Sequence, residues 1–228
     1  MIDSLIDNLF NGDQGLQIQI TELFKYLTDS PFERKTEILD IFYGKLFPIF
    51  LEHFQKMEND EKFFCFVQQY MELLVHCVKP HGYRFRHYFI HHKLLHELYK
   101  ALNLKEKSTS LAVIRLVKSL ILSKDDYLIK YITRNNLLDQ IFDVYLKNAR
   151  KDNLLTSACL DFFNVLQKEK NRKLIYNFGS RFKDKIYEAG LENTFQRLLK
   201  DYEELDNKMQ IEGEMSMSQQ ENESEFAL

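Results

Sequence analysis

Residues 124–163 read KDDYLIKYITRNNLLDQIFDVYLKNARKDNLLTSACLDFF. The stretch resolves into a short helix, a turn carrying Asn135 and Asn136, a second helix, a polar loop and a third helix. The same three parts occur once more just upstream, as YRFRHYFIHH, KLLHELYKAL and TSLAVIRLVKSLIL. An offset of 43 residues superposes Tyr88 on Tyr131, Phe89 on Ile132, Leu94 on Leu137, Leu95 on Leu138 and Leu98 on Ile141. The third helices are expected to align within a residue or two. No side chain in the stretch suggests a reaction centre.

A period near 43 built from one short and two longer helices fits armadillo or HEAT repeats. One such unit cannot bury its apolar face alone, so neighbouring segments must stack against it. Composition agrees. The chain has 228 residues, 45% hydrophobic and 14% aromatic, but only 7 Gly and 3 Pro. Sheet proteins need those residues for their many turns, so their scarcity favours long helices. The expected fold is an all-α, armadillo/HEAT-like helical-repeat solenoid over residues 1–208, followed by a disordered acidic tail over 209–228. Residues 201–228 hold nine acids and one base, so the tail accounts for the net charge of −3 and leaves the body mildly basic.

Upstream, α-helical stripes are expected at Leu16, Ile20, Leu23, Phe24 and Leu27, and then at Ile38, Phe42, Leu46, Ile49, Phe50 and Phe54. Ser30 and Pro31 suit a helix start, and Pro48 should kink or split the helix that contains it. Asp60 opens a helix that is apolar on most sides. Cys65, Cys77 and Cys159 form no CxxC pair and lie in apolar runs, as buried free thiols do. No apolar run reaches membrane-spanning length, and the N-terminus lacks the basic start of a signal peptide. The expected location is the nucleus or cytoplasm.

Six of the seven histidines fall between residues 76 and 96. His87 and His91, like His92 and His96, are spaced to share a helix face. Metalloproteases place Glu directly after the first His of such a pair, and here Lys93 and Tyr88 stand there. No metal or cofactor is expected. The same stretch, residues 76–100, carries Lys79, Arg84, Arg86, Lys93 and Lys100 among Tyr83, Phe85, Tyr88 and Phe89. It is read first as inward-packed aromatics beneath a solvated basic face, next as a dock for an acidic protein, and last as a nucleic-acid surface. Phosphate-binding loops and nucleophile arrangements are absent from the sequence, so the chain is not expected to be an enzyme.

KDDYLIKYITRNNLL followed by NLLTSACLDFF resembles the core of the regulatory subunit 3 family of protein phosphatase 4, the SMEK or Falafel family. That pattern is matched at Lys124, Asp125, Tyr131, Ile132, Asn136, Leu137, Asn153, Leu154, Leu155, Ser157, Ala158 and Phe163. HGYRFRHYFIHHKLL, KTEILDIFYGKL and ENTFQRLLKDYEE resemble further family segments in the same order, over most of residues 1–205. Leu122, Ile129, Lys130, Leu138, Gln140 and Asp152 depart from the pattern. Family members typically begin with an EVH1 domain that reads short Phe/Pro motifs. No counterpart occurs in these residues, so the chain is expected to be a fragment or a reduced member.

The resemblance implies a non-catalytic subunit that joins the phosphatase 4 catalytic subunit, a second regulatory subunit and phosphoprotein substrates. Contact candidates are Lys124, Asp125, Arg134, Asn136 and Asn153 at the repeat turns, with Arg84 and Arg86 from the basic patch. Asp125, Asn136 and Asn153 also stand where caps and turn-bonding residues belong, and for these three the structural role is favoured.

Overall fold

A computed structural model describes residues 2–29, 35–56, 60–104, 106–149 and 151–225, with side chains from Asp3 to Ile211. Every regular element among the described residues is helical. By backbone contacts the chain divides into two compact units, residues 1–162 and 163–228.

The first unit opens with α1 (Ile2–Asn11) and α2 (Gln14–Asp29). Three triplets follow: α3 (Lys35–Ile41) with a π-helical turn (Phe42–Leu46), α4 (Phe47–Gln55) and α5 (Glu61–Val78); α6 (Gly82–His91), α7 (Leu94–Leu102) and α8 (Lys107–Leu122); α9 (Asp126–Arg134), α10 (Leu137–Asn148) and α11 (Leu154–Glu169), whose residues from Phe163 on belong to the second unit. Equivalent helices stack: α5 on α8, α7 on α10, and α6 between the π turn and α9. α1 and α2 cover the free side of α5. This is the armadillo/HEAT-like pattern, with one triplet more than the sequence echo reveals.

The echo is sharpest at the first turn of each triplet. Lys93 (φ 49°) and Asn136 (φ 57°) hold the same left-handed position between the short and second helices. Neither side chain caps the helix that follows, so Asn136 is a conformational choice and not a cap. The third helices begin at Lys107 and Leu154, about 47 residues apart, because α10 is longer than α7. The expected shift of a residue or two is therefore too small.

Two stripes are displaced from simple helical counting. On α2 the buried face is Gln17, Ile20, Thr21, Phe24 and Thr28, while Leu23 is exposed. Polar side chains can lie inside because their donors are spent on backbone. Thr21 Oγ1 donates to Gln17 O (2.9 Å), Thr28 Oγ1 to Phe24 O (3.0 Å) and Gln17 Nε2 to Lys62 O (3.3 Å). In the first triplet Pro48 has no N–H to send back to Gly44, and the turn before it widens so that Phe47 N–H reaches Phe42 O. The extra residue rotates the following face, so Phe47 is buried and Ile49 is exposed. Ser30 and Pro31 lie outside the described residues. Asp60 caps α5 as expected, accepting from Phe63 N–H at 2.8 Å.

Under the π turn the core is aromatic: Phe42, Phe47, Phe50, Phe54, Phe66 and Tyr70 are buried. Tyr88 OH donates to Phe47 O (3.0 Å), so the Tyr70 hydroxyl, 2.9 Å away, donates to Tyr88. Burial pushes both phenols up, and they stay neutral at any physiological pH. Burial also pushes Cys77 and Cys159 up to about 12, which keeps these thiols protonated and inert; Cys65 is only partly buried.

His81, 6% exposed, hydrogen-bonds Tyr43 (Nδ1 to Oη 2.7 Å). Burial, then the neighbouring His76, lowers its imidazole to about 4. A histidine lowered in the folded state binds its proton more readily when unfolded. Its contribution is therefore complete above about 6.5 and is lost as pH falls toward 4. Chemical denaturation at pH 7 and 5 should show a loss of stability that His81→Gln reduces; equal losses in both proteins would refute the assignment.

In the second unit α12 (Arg172–Glu188) and α13 (Glu192–Glu225) form a helical hairpin. Asn171 caps α12 through Lys173 and Leu174 N–H, at 3.1 and 3.2 Å. Gly190 (φ 66°) ends it, with Leu191 N–H bonded to Ile186 O at 3.0 Å. Phe163, Phe178, Phe182 and Phe195 form the aromatic core of this unit. The expected disordered tail, residues 209–228, falls on the end of α13, which continues across residue 209 as helix to Glu225; side chains beyond Ile211 lie outside the described residues.

Candidate functional site

The short helices α6 and α9 lie side by side, and their N-terminal ends bring three of the expected residues together. Lys124 adopts a left-handed backbone (φ 58°) and leads into Asp125. Asp125 Oδ1 caps α9, accepting from Tyr127 N–H (2.9 Å) and Leu128 N–H (3.1 Å). Its other oxygen takes Arg86 Nη1 at 2.8 Å. One carboxylate thus starts a helix and ties it to its neighbour. The Arg86 guanidinium lies 5.4 Å from the Tyr83 ring centroid and 4.6 Å from that of Tyr127. Tyr83 and Tyr127 are 68% and 67% exposed, the most open large apolar side chains on these helices.

Further along α6, Arg84 pairs with Asp40 of α3. Beside it lies a hollow of about 480 Å³, lined by residues of α3, the π turn and α6, including Tyr43, Gly44, His87 and His91. His87 and His91 stack at 5.3 Å, and His92 is lowered by burial first and then by these two neighbours. Among the described residues no group of three or more His, Cys, Asp or Glu is placed to hold a metal ion. Nor is any helix long and apolar enough to cross a membrane.

The remaining candidates stand apart. Arg134 and Asn136 are exposed at the opposite end of α9, roughly 13 Å away at the helical rise. Asn153 caps α11, its Oδ1 accepting from Leu155 and Thr156 N–H, both at 3.0 Å. Asn153→Ala should therefore cost about 1 kcal/mol in thermal or urea denaturation. An unchanged stability with loss of partner binding would move Asn153 from cap to contact.

The basic patch is less charged than its sequence. Arg84 and Arg86 each face a carboxylate, and Lys100 sits on Glu97 at 3.0 Å. Phe85, Tyr88 and Phe89 are buried, as the inward-packing reading requires, but Tyr83 points outward. A nucleic-acid groove needs uncompensated cations beside stacking rings, and Arg86, the cation that lies against the Tyr83 and Tyr127 rings, is matched by Asp125. Sequence reasoning missed both tyrosines as a pair. The 43-residue echo could not pair them, since they stand 44 apart, each at the second position of its short helix.

A family model described as phosphatase 4 regulatory subunit 3 matches residues 1–204. The chain belongs to that family. Among curated relatives, Suppressor of Mek1 of Dictyostelium discoideum is 24% identical, over 87% of this chain and 21% of its own length. Serine/threonine-protein phosphatase 4 regulatory subunit 3 of Drosophila melanogaster is 22% identical, over 94% of this chain and 23% of its own. Protein PPP4R3C1 of Mus musculus is 28% identical, over 59% and 16%. The chain thus spans about a fifth of the length of these relatives. No solved structure matches.

The phosphatase 4 regulatory subunit 3 family is one of regulatory, not catalytic, subunits. Seven of the residues that carried the resemblance have scaffold roles in this member. Asp125 and Asn153 are caps, Asn136 is the left-handed turn residue, and Ile132, Leu137, Leu155 and Phe163 are buried.

Proposed function

We propose that this chain is a scaffold portion of a phosphatase 4 complex, holding the catalytic subunit, a second regulatory subunit and phosphoprotein substrates without doing chemistry itself. The observation that carries this is the family match across residues 1–204, which includes every triplet of the stack. Stacked helices give an extended surface on which catalyst and substrate are held together, and holding them raises their effective concentration. The metals of the reaction belong to the catalytic partner. The nucleus or the cytoplasm, where such complexes meet phosphoproteins, is the proposed location.

Within the stack, the contact surface is proposed at Tyr83, Arg86, Lys124 and Tyr127. Tyr and Arg are enriched at binding hot spots: tyrosine covers a large area with two rotatable bonds, and the planar guanidinium stacks on rings and forks to carboxylates. Purified chain and phosphatase 4 catalytic subunit, with and without a second regulatory subunit, should co-elute in size-exclusion chromatography. Tyr83→Ala with Tyr127→Ala should weaken that association at least tenfold while leaving the melting temperature unchanged. Absence of any complex with the intact chain would overturn the function, whereas an unaffected complex with the double variant would overturn only the surface.

A further inference from the structure

A second hollow, of about 390 Å³, lies within the α12–α13 hairpin. Arg172, Lys173 and Tyr176 from the start of α12 meet Leu205, Lys208 and Met209 of α13. Half of these lining side chains are cations and none is a carboxylate. Arg172, Lys173 and Lys208 are exposed, while Tyr176 and Leu205 are partly buried and form an apolar floor. Met209 is 55% exposed, and Ile211 just beyond it is 57% exposed. Of the acids nearby on α13, Glu203 pairs with Lys183 at 3.0 Å and Asp206 accepts from the Gln210 amide at 3.3 Å, while Glu204 is exposed one turn before Lys208.

We propose that this hollow docks an acidic, amphipathic peptide segment of a partner protein. A bulky apolar side chain of the peptide fills the space over Tyr176, Leu205 and Met209, and its flanking carboxylates face Arg172 and Lys208. Charge complementarity selects the acid, because the exposed Arg172 and Lys208 at the rim repel basic segments and attract acidic ones. The apolar floor selects a peptide over a nucleic acid, whose phosphates would use the cations but leave Leu205 and Met209 uncovered. Methionine adapts its shape to different apolar side chains, which suits a pocket of this kind. The surface is separate from the α6–α9 site and goes beyond the family reading.

The test is fluorescence anisotropy on the full chain with a labelled octapeptide that has Leu-Phe at its centre and three acidic residues on each side. Saturable binding is expected. It should weaken at least tenfold with Arg172→Glu plus Lys208→Glu, with Met209→Asp, and with an amide version of the peptide. All three substituted side chains are exposed, so circular dichroism and melting should not change, and association with the phosphatase catalytic subunit should be retained. The proposal is overturned by the absence of saturable binding, by charge reversal without effect, or by an oligothymidine of equal charge binding as tightly. It is also overturned if full chain with Glu212, Glu214, Glu221, Glu223 and Glu225 all changed to Gln binds the peptide at least tenfold more tightly, since the occupant would then be the chain's own acidic end.

Discussion

Gly179→Ala is expected to destabilise the second unit by about 2–3 kcal/mol, against the usual direction of that substitution. In a helix interior alanine is ordinarily preferred to glycine by about 1 kcal/mol, because glycine loses more backbone entropy on folding. Gly179 sits in α12, where α13 packs closest. A Cβ there would overlap Cγ and Cδ2 of Tyr202 and stand 2.6 Å from its Cβ. These atoms are at the root of the tyrosine and not at a flexible tip, so relief requires the helices themselves to separate. Tyr202 is only 9% exposed and its ring packs against Tyr176 at 5.7 Å, which closes the other direction. Urea denaturation should show the loss directly. In a Tyr202→Gly background all three overlapping atoms are gone, and Gly179→Ala should then be neutral or stabilising. A destabilisation that persisted in that background would assign the effect to something other than this contact.

That glycine was invisible to periodicity, which counts apolar positions and assigns an absent side chain no place. Much else was legible. The echo of Leu94, Leu95 and Leu98 in Leu137, Leu138 and Ile141 fixed the triplet, since each is buried and a shift of one residue would turn them to solvent. Asp125 and Asn153 were recognisable as caps because an acceptor just before an apolar run has few other uses. The first triplet was not legible as a repeat. The π turn adds a residue, so counting from Phe42 by 3.6 lands on Ile49 where the core holds Phe47 and Phe50. The α2 stripe failed differently, because Thr21 and Thr28 satisfy their hydroxyls within their own helix and can be buried at little cost. At the site, sequence named Arg86 and Asp125 separately but could not pair residues on different helices. It also counted Arg84 and Arg86 as free charge, when each is met by an acid from a neighbouring element.

The largest single effect is expected from Phe47→Ala, at about 3–5 kcal/mol. Phe47 is fully buried, with ring centroids 4.8 Å from Phe42, 5.0 Å from Tyr43, 4.9 Å from Tyr88 and 6.2 Å from Tyr70. Truncation removes the transfer free energy of a phenyl group and leaves a cavity bounded by rings that are already bonded to one another. Tyr88 is held by its hydrogen bonds to Phe47 O and to Tyr70, and Tyr43 by His81, so the walls cannot close on the void without breaking them. For a unit of this size the melting temperature should fall by roughly 10 °C. Phe47→Leu, which keeps most of the volume, should cost clearly less than half as much. Equal losses for the two variants would mean that backbone strain at the π turn, and not packing, sets the cost. Tyr43 and Tyr88 also line the hollow beside α6, so Phe47→Ala should distort that surface as well. Weakened phosphatase association in this variant would then report a collapsed floor. The exposed Tyr83 and Tyr127 variants, which leave the core intact, are the ones whose binding defects report contact.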